Sequence, residues 1–141
     1  MVLLDTNVVS EVMRPEPAGA VIRWLNDIDS GSLHITSITI GEIDYCISCL
    51  REGERSETLE SRFMGFVERG FAESVRDFYE LAARYYGAIM GESRRHGRPI
   101  SAPDAQIAAV ARQHGMAVGT RNVVDFQEIG LELINPWDSG F

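Results

Sequence analysis

The stretch Val2-Leu3-Leu4-Asp5-Thr6-Asn7 decides how the rest of the chain is interpreted. Its first three residues are all apolar, which is typical of a strand buried on both faces within a parallel sheet. The next three residues are polar and end the strand. Short strand-like runs over residues 33–36, 116–119 and 131–134 predict three further strands.

Helical patterns separate the predicted strands. Apolar residues recur at spacings of three and four in the intervening segments, and Gly or Pro ends several of them. The predicted helices cover residues 21–28, 39–50, 54–70, a stretch from 78 that Gly97 and Pro99 end, and 101–114. Strands that alternate with helices predict an α/β fold with a mostly parallel central sheet. The length of 141 residues predicts a single domain over residues 1–141.

The charge balance excludes several kinds of chemistry. The chain has 21 acidic and 13 basic side chains, for a formal net charge of −8, and every basic one is arginine. Without lysine, the chain has no P-loop lysine to hold a phosphate and no amine to form a Schiff base. The acidic surplus also argues against a protein that coats nucleic acid by charge alone.

We expect a cytoplasmic protein from three features of the sequence: the start of the chain, the length of its apolar runs and its cysteines. The start of the chain has no basic region before Asp5, unlike a secretory signal. No apolar run approaches the roughly 18 residues of a membrane span. The only two cysteines, in Cys46-Ile47-Ser48-Cys49, are too few for a secreted disulfide framework and fall within a predicted helix. We predict that they are buried thiols rather than zinc ligands or a redox pair.

Polar residues follow the predicted strands and open the helices between them. Because the carboxyl ends of parallel strands meet at one edge of a sheet, these residues can converge there. We place Glu42 in the first turn of the helix after the second strand, and Asp104 in the first turn of the helix before the third. The converging residues would be Asp5, Glu42, Asp104, Thr120, Asn122 and Asp125.

Helix capping is an alternative explanation for the same acids. Asp5 can simply cap a short helix that begins at the next residue or the one after it. Thr39-Ile40-Gly41-Glu42 and Ser101-Ala102-Pro103-Asp104 both have the form of a capping box. An acid at a helix start is also favoured by the helix dipole. The sequence alone leaves both explanations open.

Convergence of several carboxylates would define the chemistry of the site. Carboxylates close together repel one another, and a bound cation relieves that repulsion. Hard oxygen ligands favour Mg²⁺ or Mn²⁺ over zinc. Such an ion shares its shell with phosphate oxygens and activates a water to attack phosphorus. An acidic protein could therefore bind a polyanion at this one place.

Five motifs follow one another in a fixed order along the chain. They are Leu3-Leu4-Asp5-Thr6-Asn7, Ile38-Thr39-Ile40-Gly41-Glu42-Ile43, Ala102-Pro103-Asp104-Ala105-Gln106-Ile107-Ala108-Ala109, Gly119-Thr120-Arg121-Asn122-Val123-Val124-Asp125-Phe126 and Ile134-Asn135-Pro136-Trp137. Together they resemble the motifs of PIN-domain nucleases, and the nearest branch looks like the VapC/FitB toxins of bacterial toxin–antitoxin pairs. The resemblance covers nearly the whole chain. It implies a PIN-like three-layer fold, with the central sheet flanked by helices.

The resemblance implies a Mg²⁺-dependent endoribonuclease that hydrolyses RNA phosphodiester bonds, with Mn²⁺ as a substitute ion. Asp5 and Asp104 match the family's principal metal ligands, and Glu42 matches its third acid. The chain departs from the pattern at the fourth acid, because Asn122 stands where many relatives have Asp. Asp125, three residues further on, is the expected replacement. The number of metal ions stays open.

Two further residues match the polar residues that shape the site in the family. These are Asn7, in the first motif, and Thr120, in the fourth. Each would lie beside the acids that follow the first and third predicted strands. We therefore count both as candidate site residues.

The resemblance also implies protein partners. A cognate antitoxin with a basic C-terminal segment would insert a basic side chain into the acidic pocket, and the net acidic charge favours such a partner. A homodimer, paired again through the antitoxin into a higher assembly, is expected. Phe63, Phe66 and Val67 would serve either an interface or core packing, and we favour core packing.

Arg94, Arg95, His96 and Arg98 form the one basic cluster in the sequence. The arginines could hold RNA phosphates beside the metal. They could equally be a solvated helix end, where cations suit the helix dipole. We favour the helix end slightly, and the cluster is the first surface to test for phosphate contact.

Two other classes of function stay open. One is a non-catalytic interaction module whose acidic pocket docks a basic partner, and Asn122 in place of an acid favours it. The other is an aspartate-dependent phosphatase or receiver-like domain on a similar sheet. It ranks last, because phosphoryl-aspartate chemistry in those folds usually uses a lysine and this chain has none.

Overall fold

The computed structural model describes residues 1–50 and 52–138. Its centre is a sheet whose five strands, within those residues, all pair in parallel. The strand order is β3-β2-β1-β4-β5. The strands are β1 (Val2–Leu4), β2 (Leu33–Thr36), β3 (Val75–Arg76), β4 (Ala117–Gly119) and β5 (Leu133–Ile134).

Helices cover both faces of the sheet and form the outer layers. They are α1 (Thr6–Val12), α2 (Gly19–Asp27), α3 (Ser37–Ser48), α4 (Glu54–Phe71), α5 (Glu80–Arg95) and α6 (Ala102–His114). Buried residues of α1 to α4 share one apolar cluster, and those of α5 and α6 share another. Three short 3-10 helices, Ser30–Ser32, Val123–Phe126 and Pro136–Asp138, complete the described elements.

The first strand shows why the sequence folds into three layers. Leu3 belongs to the apolar cluster of α5 and α6, whereas Val2 and Leu4 belong to the cluster on the opposite face. Alternate strand residues point to opposite faces, so an apolar run buries side chains on both. Leu3 and Leu4 are fully buried, and each contributes about 1.5–3 kcal/mol of transfer free energy. The α/β, three-layer prediction is confirmed.

The strand order creates a crevice at one edge of the sheet. The chain leaves β1 through α1 and α2 on one face, and it enters β4 from α5 and α6 on the other. β1 and β4 are neighbours, with Leu4 opposite Gly119. Open parallel sheets bind ligands where neighbouring strands connect to opposite faces, beyond their carboxyl ends. Asp5 directly follows β1 and Thr120 directly follows β4, so both residues lie at this crevice.

Glycines allow the close packing around β4. Gly115 ends α6 with φ +64°, a left-handed conformation that turns the chain towards β4. A Cβ at Gly119 would lie 3.1 Å from the ring of Trp24. A side chain at residue 119 would therefore require the Trp24 ring of α2 to shift by a few tenths of an ångström.

Several details differ from the sequence-based expectations. β3 was not predicted, because a two-residue strand has no periodicity to detect. α3 begins at Ser37 and is capped by Thr36, whose hydroxyl accepts from the Thr39 amide at 3.1 Å. The proposed Thr39–Glu42 capping box is therefore wrong, and Glu42 lies in the second turn rather than the first. Phe63 is buried and favours core packing over an interface.

The prediction of buried thiols is also wrong. Cys46 and Cys49 are both exposed and free. The stripe that α3 buries runs through Thr39 and Ile43 and continues to the half-buried Ile47. The cysteines lie off this stripe, and Cys49 follows the last helical residue. Within residues 1–50 and 52–138, no helix has the length and apolar character needed to cross a membrane.

Candidate active site

Asp5 lies at the centre of the crevice beyond β1. It caps α1, and its Oδ1 accepts a hydrogen bond from the Thr6 amide at 2.8 Å. Its Oδ2 accepts from the Thr120 hydroxyl, also at 2.8 Å. Only 3% of the residue is exposed. The capping explanation for Asp5 is therefore correct, and the same carboxylate is also fixed by a residue from β4's end.

Glu42 is held beside Asp5 by a shared neighbour. The Thr6 hydroxyl donates to Oε1 of Glu42 at 2.6 Å, and it lies 3.0 Å from the hydroxyl of Thr39. Thr6 thus contacts Asp5 through its amide and Glu42 through its side chain. Although Glu42 lies one turn further into α3 than expected, it reaches the crevice.

Asp104 reaches the same place from the start of α6. Ser101 caps this helix, and its hydroxyl accepts from the Asp104 amide at 3.3 Å. This is the side-chain-to-amide half of the predicted capping box. The carboxylate of Asp104 lines the same pocket as Asp5 and Glu42. The Ser101 cap therefore fixes the start of α6, and this places Asp104 in the pocket with Asp5 and Glu42.

Burial and neighbouring charges raise the pKa of two carboxyl groups in this crevice, Asp5 and Asp104. Burial raises the pKa of Asp5 from 3.8 to about 6, and the charges of Asp104 and Glu42 add to the rise against the lowering effect of its hydrogen bonds. Burial also raises the pKa of Asp104, aided by the charges of Asp125 and Glu42 and opposed by the Ser101 hydrogen bond. Acids that repel one another in a crevice mark a functional site, because a cation would relieve the repulsion.

The carboxylates line an open pocket of about 440 Å³. The pocket carries both acids and arginines, and its walls come from α1, α3, α6 and the segments after β4 and β5. Its lining residues are Asp5, Thr6, Asn7, Ser10, Glu11, Arg14, Glu42, Asp104, Arg121, Asn122 and Trp137.

A hydrogen-bond network ties the segment after β4 to the start of α1. The Thr120 hydroxyl donates to Asp5 and lies 3.4 Å from the donating Nδ2 of Asn7. It also accepts from the Asn122 amide at 3.0 Å. Oδ1 of Asn7 accepts from the Arg121 amide at 3.3 Å. Asn7 and Thr120 therefore link the two sides of the crevice through hydrogen bonds.

The structure separates the other predicted residues from this pocket. Asp125 lies in the 3-10 helix Val123–Phe126 and lines a neighbouring cavity together with Arg98. It acts on Asp104 through its charge, while Asn122 is the residue that lines the carboxylate pocket. Arg94 and Arg95 are exposed in the last turn of α5. Arg98 pairs with Glu128 at 3.7 Å.

The placement of the arginines favours the solvated helix end over a phosphate surface at the carboxylates. Sequence reasoning missed six residues of the pocket, which are Thr6, Ser10, Glu11, Arg14, Arg121 and Trp137. Thr6 and Arg121 stand inside quoted motifs, beside the residues that were chosen. The contact of Arg121 with Trp137, 16 positions away, left no local signal.

The residues of the pocket fit a hard divalent cation by their chemistry. Asp5, Glu42 and Asp104 offer only oxygen donors, and the pocket has room for an ion that keeps several waters, as Mg²⁺ does. Among residues 1–50 and 52–138, no three His, Cys, Asp or Glu side chains are gathered closely enough to hold an ion. An ion bound here would thus rely partly on waters and on substrate oxygens.

Comparison with known families decides the kind of protein. The model of the PIN domain matches residues 2–130. The chain belongs to the PIN domain family. The matched range of this PIN domain includes Asp5, Glu42 and Asp104, and the receiver-like alternative has no support.

Relatives of this PIN domain include named toxins. It is 34% identical to Toxin FitB of Neisseria gonorrhoeae, over 97% of this chain and 99% of that protein. It is 35% identical to the VapC ribonuclease Y4jK of Sinorhizobium fredii, over 98% and 99%. The crystal structure of FitAcB from Neisseria gonorrhoeae superposes with a TM-score of 0.91 at 34% identity, over 98% of this chain and 99% of that one. These similarities confirm the likeness to the VapC/FitB branch.

Proposed function

We propose that this PIN domain is a Mg²⁺-dependent endoribonuclease and the toxin of a toxin–antitoxin pair. The observation that carries the proposal is the convergence of Asp5, Glu42 and Asp104 on one pocket, with the pKa of Asp5 raised to about 6. A relative 35% identical is named a VapC ribonuclease, and another, 30% identical, is named a tRNA(fMet)-specific endonuclease from Shigella flexneri.

Asp5, Asp104 and Glu42 would hold the ion, and Mn²⁺ would substitute for Mg²⁺ because both take oxygen ligands. When bound, the ion supplies a water of lowered pKa and stabilises charge on the phosphate. The chain's own contribution is orientation. The Thr6 amide and the Thr120 hydroxyl fix the two oxygens of Asp5, and the Thr6 hydroxyl fixes Glu42.

The reaction is hydrolysis of one phosphodiester bond. A water oxygen bonds to phosphorus, the bond from phosphorus to the 3′ oxygen breaks, and that oxygen takes a proton. The products are a 5′-phosphate and a 3′-hydroxyl. Asn122 would orient the phosphate from the pocket wall, and Asp125, which lines the neighbouring cavity, would act on the site through its charge on Asp104.

The proposed partner is an antitoxin with a basic C-terminal segment. Solved structures similar to this chain include DNA-bound VapBC from Salmonella typhimurium, with a TM-score of 0.83 at 27% identity. The acidic pocket and the net charge of −8 would attract a basic segment. We extend this to a homodimer that pairs again through the antitoxin.

The test is cleavage of bulk RNA by the purified protein in Mg²⁺, with end analysis of the products. We expect 5′-phosphate ends, and we expect Asp5→Asn to remove cleavage. Asp44→Asn, which makes the same charge change at an exposed position of α3, should cut like the wild type. Undiminished cleavage in EDTA would refute the metal-dependent mechanism.

A second candidate is a non-catalytic module whose pocket only docks a basic antitoxin. Two observations favour it: Asn122 stands in place of an acid, and no three ligands are gathered among the described residues. Calorimetry separates the two functions. Mg²⁺ binding that Asp104→Asn removes supports the nuclease, whereas tight antitoxin binding without any metal binding supports the module.

A further inference from the structure

Arg121 is a cation in the mouth of an acidic pocket. It follows Thr120 directly and lines the pocket with Asp5, Glu42 and Asp104. Its side chain is exposed, and its amide donates to Oδ1 of Asn7. The backbone that carries this guanidinium is therefore fixed to the hydrogen-bond network of the site.

The pocket has a second arginine, Arg14, which differs from Arg121 in forming an ion pair. Arg14 pairs with Glu11 at 3.3 Å, and the other oxygen of Glu11 accepts from the Ala18 amide at 3.1 Å. Arg14 is thus engaged in holding the segment after α1. In the part of the chain that the structure describes, Arg121 makes no ion pair, although carboxylates line the same pocket.

The guanidinium of Arg121 contacts an aromatic ring instead of a carboxylate. The guanidinium carbon of Arg121 lies 5.0 Å from the ring centre of Trp137. The ring is half-buried, and it packs against the apolar cluster of α1 to α4. A cation over an indole face gains attraction without losing its hydrogen-bond donors to a carboxylate. The donors of Arg121 consequently stay available for an anion.

We propose that Arg121, supported by Trp137, is the residue that binds a backbone phosphate of the RNA beside the carboxylate pocket. Guanidinium donors match the geometry of phosphate oxygens, and arginine keeps its charge at all working pH values. The contact is to the backbone, so it fixes the position of the strand and reads no base. The assignment rests on the proposed function, since it takes RNA as the substrate. It replaces Arg94, Arg95 and Arg98 as the phosphate contact.

The experiment measures binding of a short fluorescein-labelled oligouridylate by anisotropy, in Mg²⁺ and over a series of salt concentrations. An Asp5→Asn background keeps the RNA intact. We expect Arg121→Ala to weaken binding about tenfold, because the variant loses the charge-assisted hydrogen bonds from the guanidinium to the phosphate. The slope of log affinity against log salt should fall by about 0.7, the value for one phosphate of a single strand. An oligoadenylate should show the same loss.

Two further variants separate binding from structure. Arg121→Lys keeps the charge, so the salt slope should be retained while part of the affinity is lost with the planar fork. Arg84→Ala removes an arginine of α5 that is 74% exposed and paired with Glu80, and it should bind like the background. In NMR spectra, the indole resonance of Trp137, assigned by its absence in Trp137→Phe, should shift when the RNA is added.

The outcomes distinguish this assignment from the proposed function. An affinity and salt slope unchanged by Arg121→Ala, or no association at low salt, would overturn the role of Arg121 even if the wild type cuts RNA. Loss of affinity in Arg121→Ala supports the role even if the wild type proves unable to cut. A loss equal in Arg84→Ala would also overturn it, because the effect would then be one of net charge.

Discussion

Replacing Asp5 with asparagine should make the metal-free protein more stable at neutral pH while removing its activity. The side chain is 3% exposed, and burial with the charges of Asp104 and Glu42 raises its pKa from 3.8 to about 6. A shift of about two units corresponds to about 3 kcal/mol of unfavourable free energy in the folded, charged state. Asparagine removes that charge without changing the size of the side chain.

The hydrogen bonds of Asp5 oppose part of this gain. The asparagine oxygen can accept from the Thr6 amide, but its Nδ2 cannot accept from the Thr120 hydroxyl, which already accepts from Asn7 and Asn122. Loss of one hydrogen bond costs about 1 kcal/mol. The expected net gain for Asp5→Asn is therefore about 2 kcal/mol at neutral pH.

The effect should change sign with pH. Between pH 3.8 and about 6, folded Asp5 keeps its proton while the unfolded chain releases it, so the unfolded chain binds fewer protons. The free energy of unfolding of the wild type then falls as pH rises, relative to the variant. Below about pH 4 the charge penalty is absent and Asp5→Asn should be about 1 kcal/mol less stable.

Urea unfolding in EDTA, at pH values on both sides of this interval, measures the difference. Asp44→Asn, at an exposed position, is the matched control and should run parallel to the wild type. Excess Mg²⁺ should stabilise the wild type by about 2.7 kcal/mol at one hundred times its dissociation constant, and the variant by less. If the free energies of unfolding of Asp5→Asn and the wild type differ by the same amount at every pH from 4 to about 7, the raised pKa of Asp5 is refuted.

Three other experiments test the support of Asp5, the end of α6 and the exposure of the two cysteines. Thr120→Val removes the hydroxyl that fixes Asp5 and should lower Mg²⁺-dependent cleavage about 10–100-fold in a rate assay, whereas Thr58→Val on the exposed side of α4 should not. Gly115→Ala meets no neighbouring atom but holds φ +64°, so thermal unfolding should show a loss of about 1–2 kcal/mol. Cys46 and Cys49 are exposed, so both should react with a thiol reagent in the folded protein; protection of either would contradict the structure.

Features set by local sequence could be predicted from it. The apolar run before Asp5 indicated a strand between two layers, and the structure places β1 at the centre of the sheet. Capping by Ser101 follows from a local pattern and is observed. The start of α3 was misplaced, because Thr36 and Thr39 are both good capping residues and the sequence does not choose between them.

Features set by contacts between distant segments could not be predicted. β3 has two residues and exists through its pairing with β2. Arg121 meets Trp137 across 16 positions, and Thr6 meets Glu42 across 36. Exposure of Cys46 depends on which stripe of α3 faces the core, and Thr39 and Ile43 define that stripe only once the helix is packed.

The central claim is that Asp5, Glu42 and Asp104 form a metal-dependent RNA-cutting site. The most direct measurement is the initial rate of RNA cleavage as Mg²⁺ is added back to the wild type and to Asp104→Asn after treatment with EDTA. We expect the wild-type rate to rise from zero and saturate, and the rate of the variant to stay near zero at every concentration. A wild type that cuts equally well without Mg²⁺, or an Asp104→Asn variant that follows the wild-type curve, would contradict the claim.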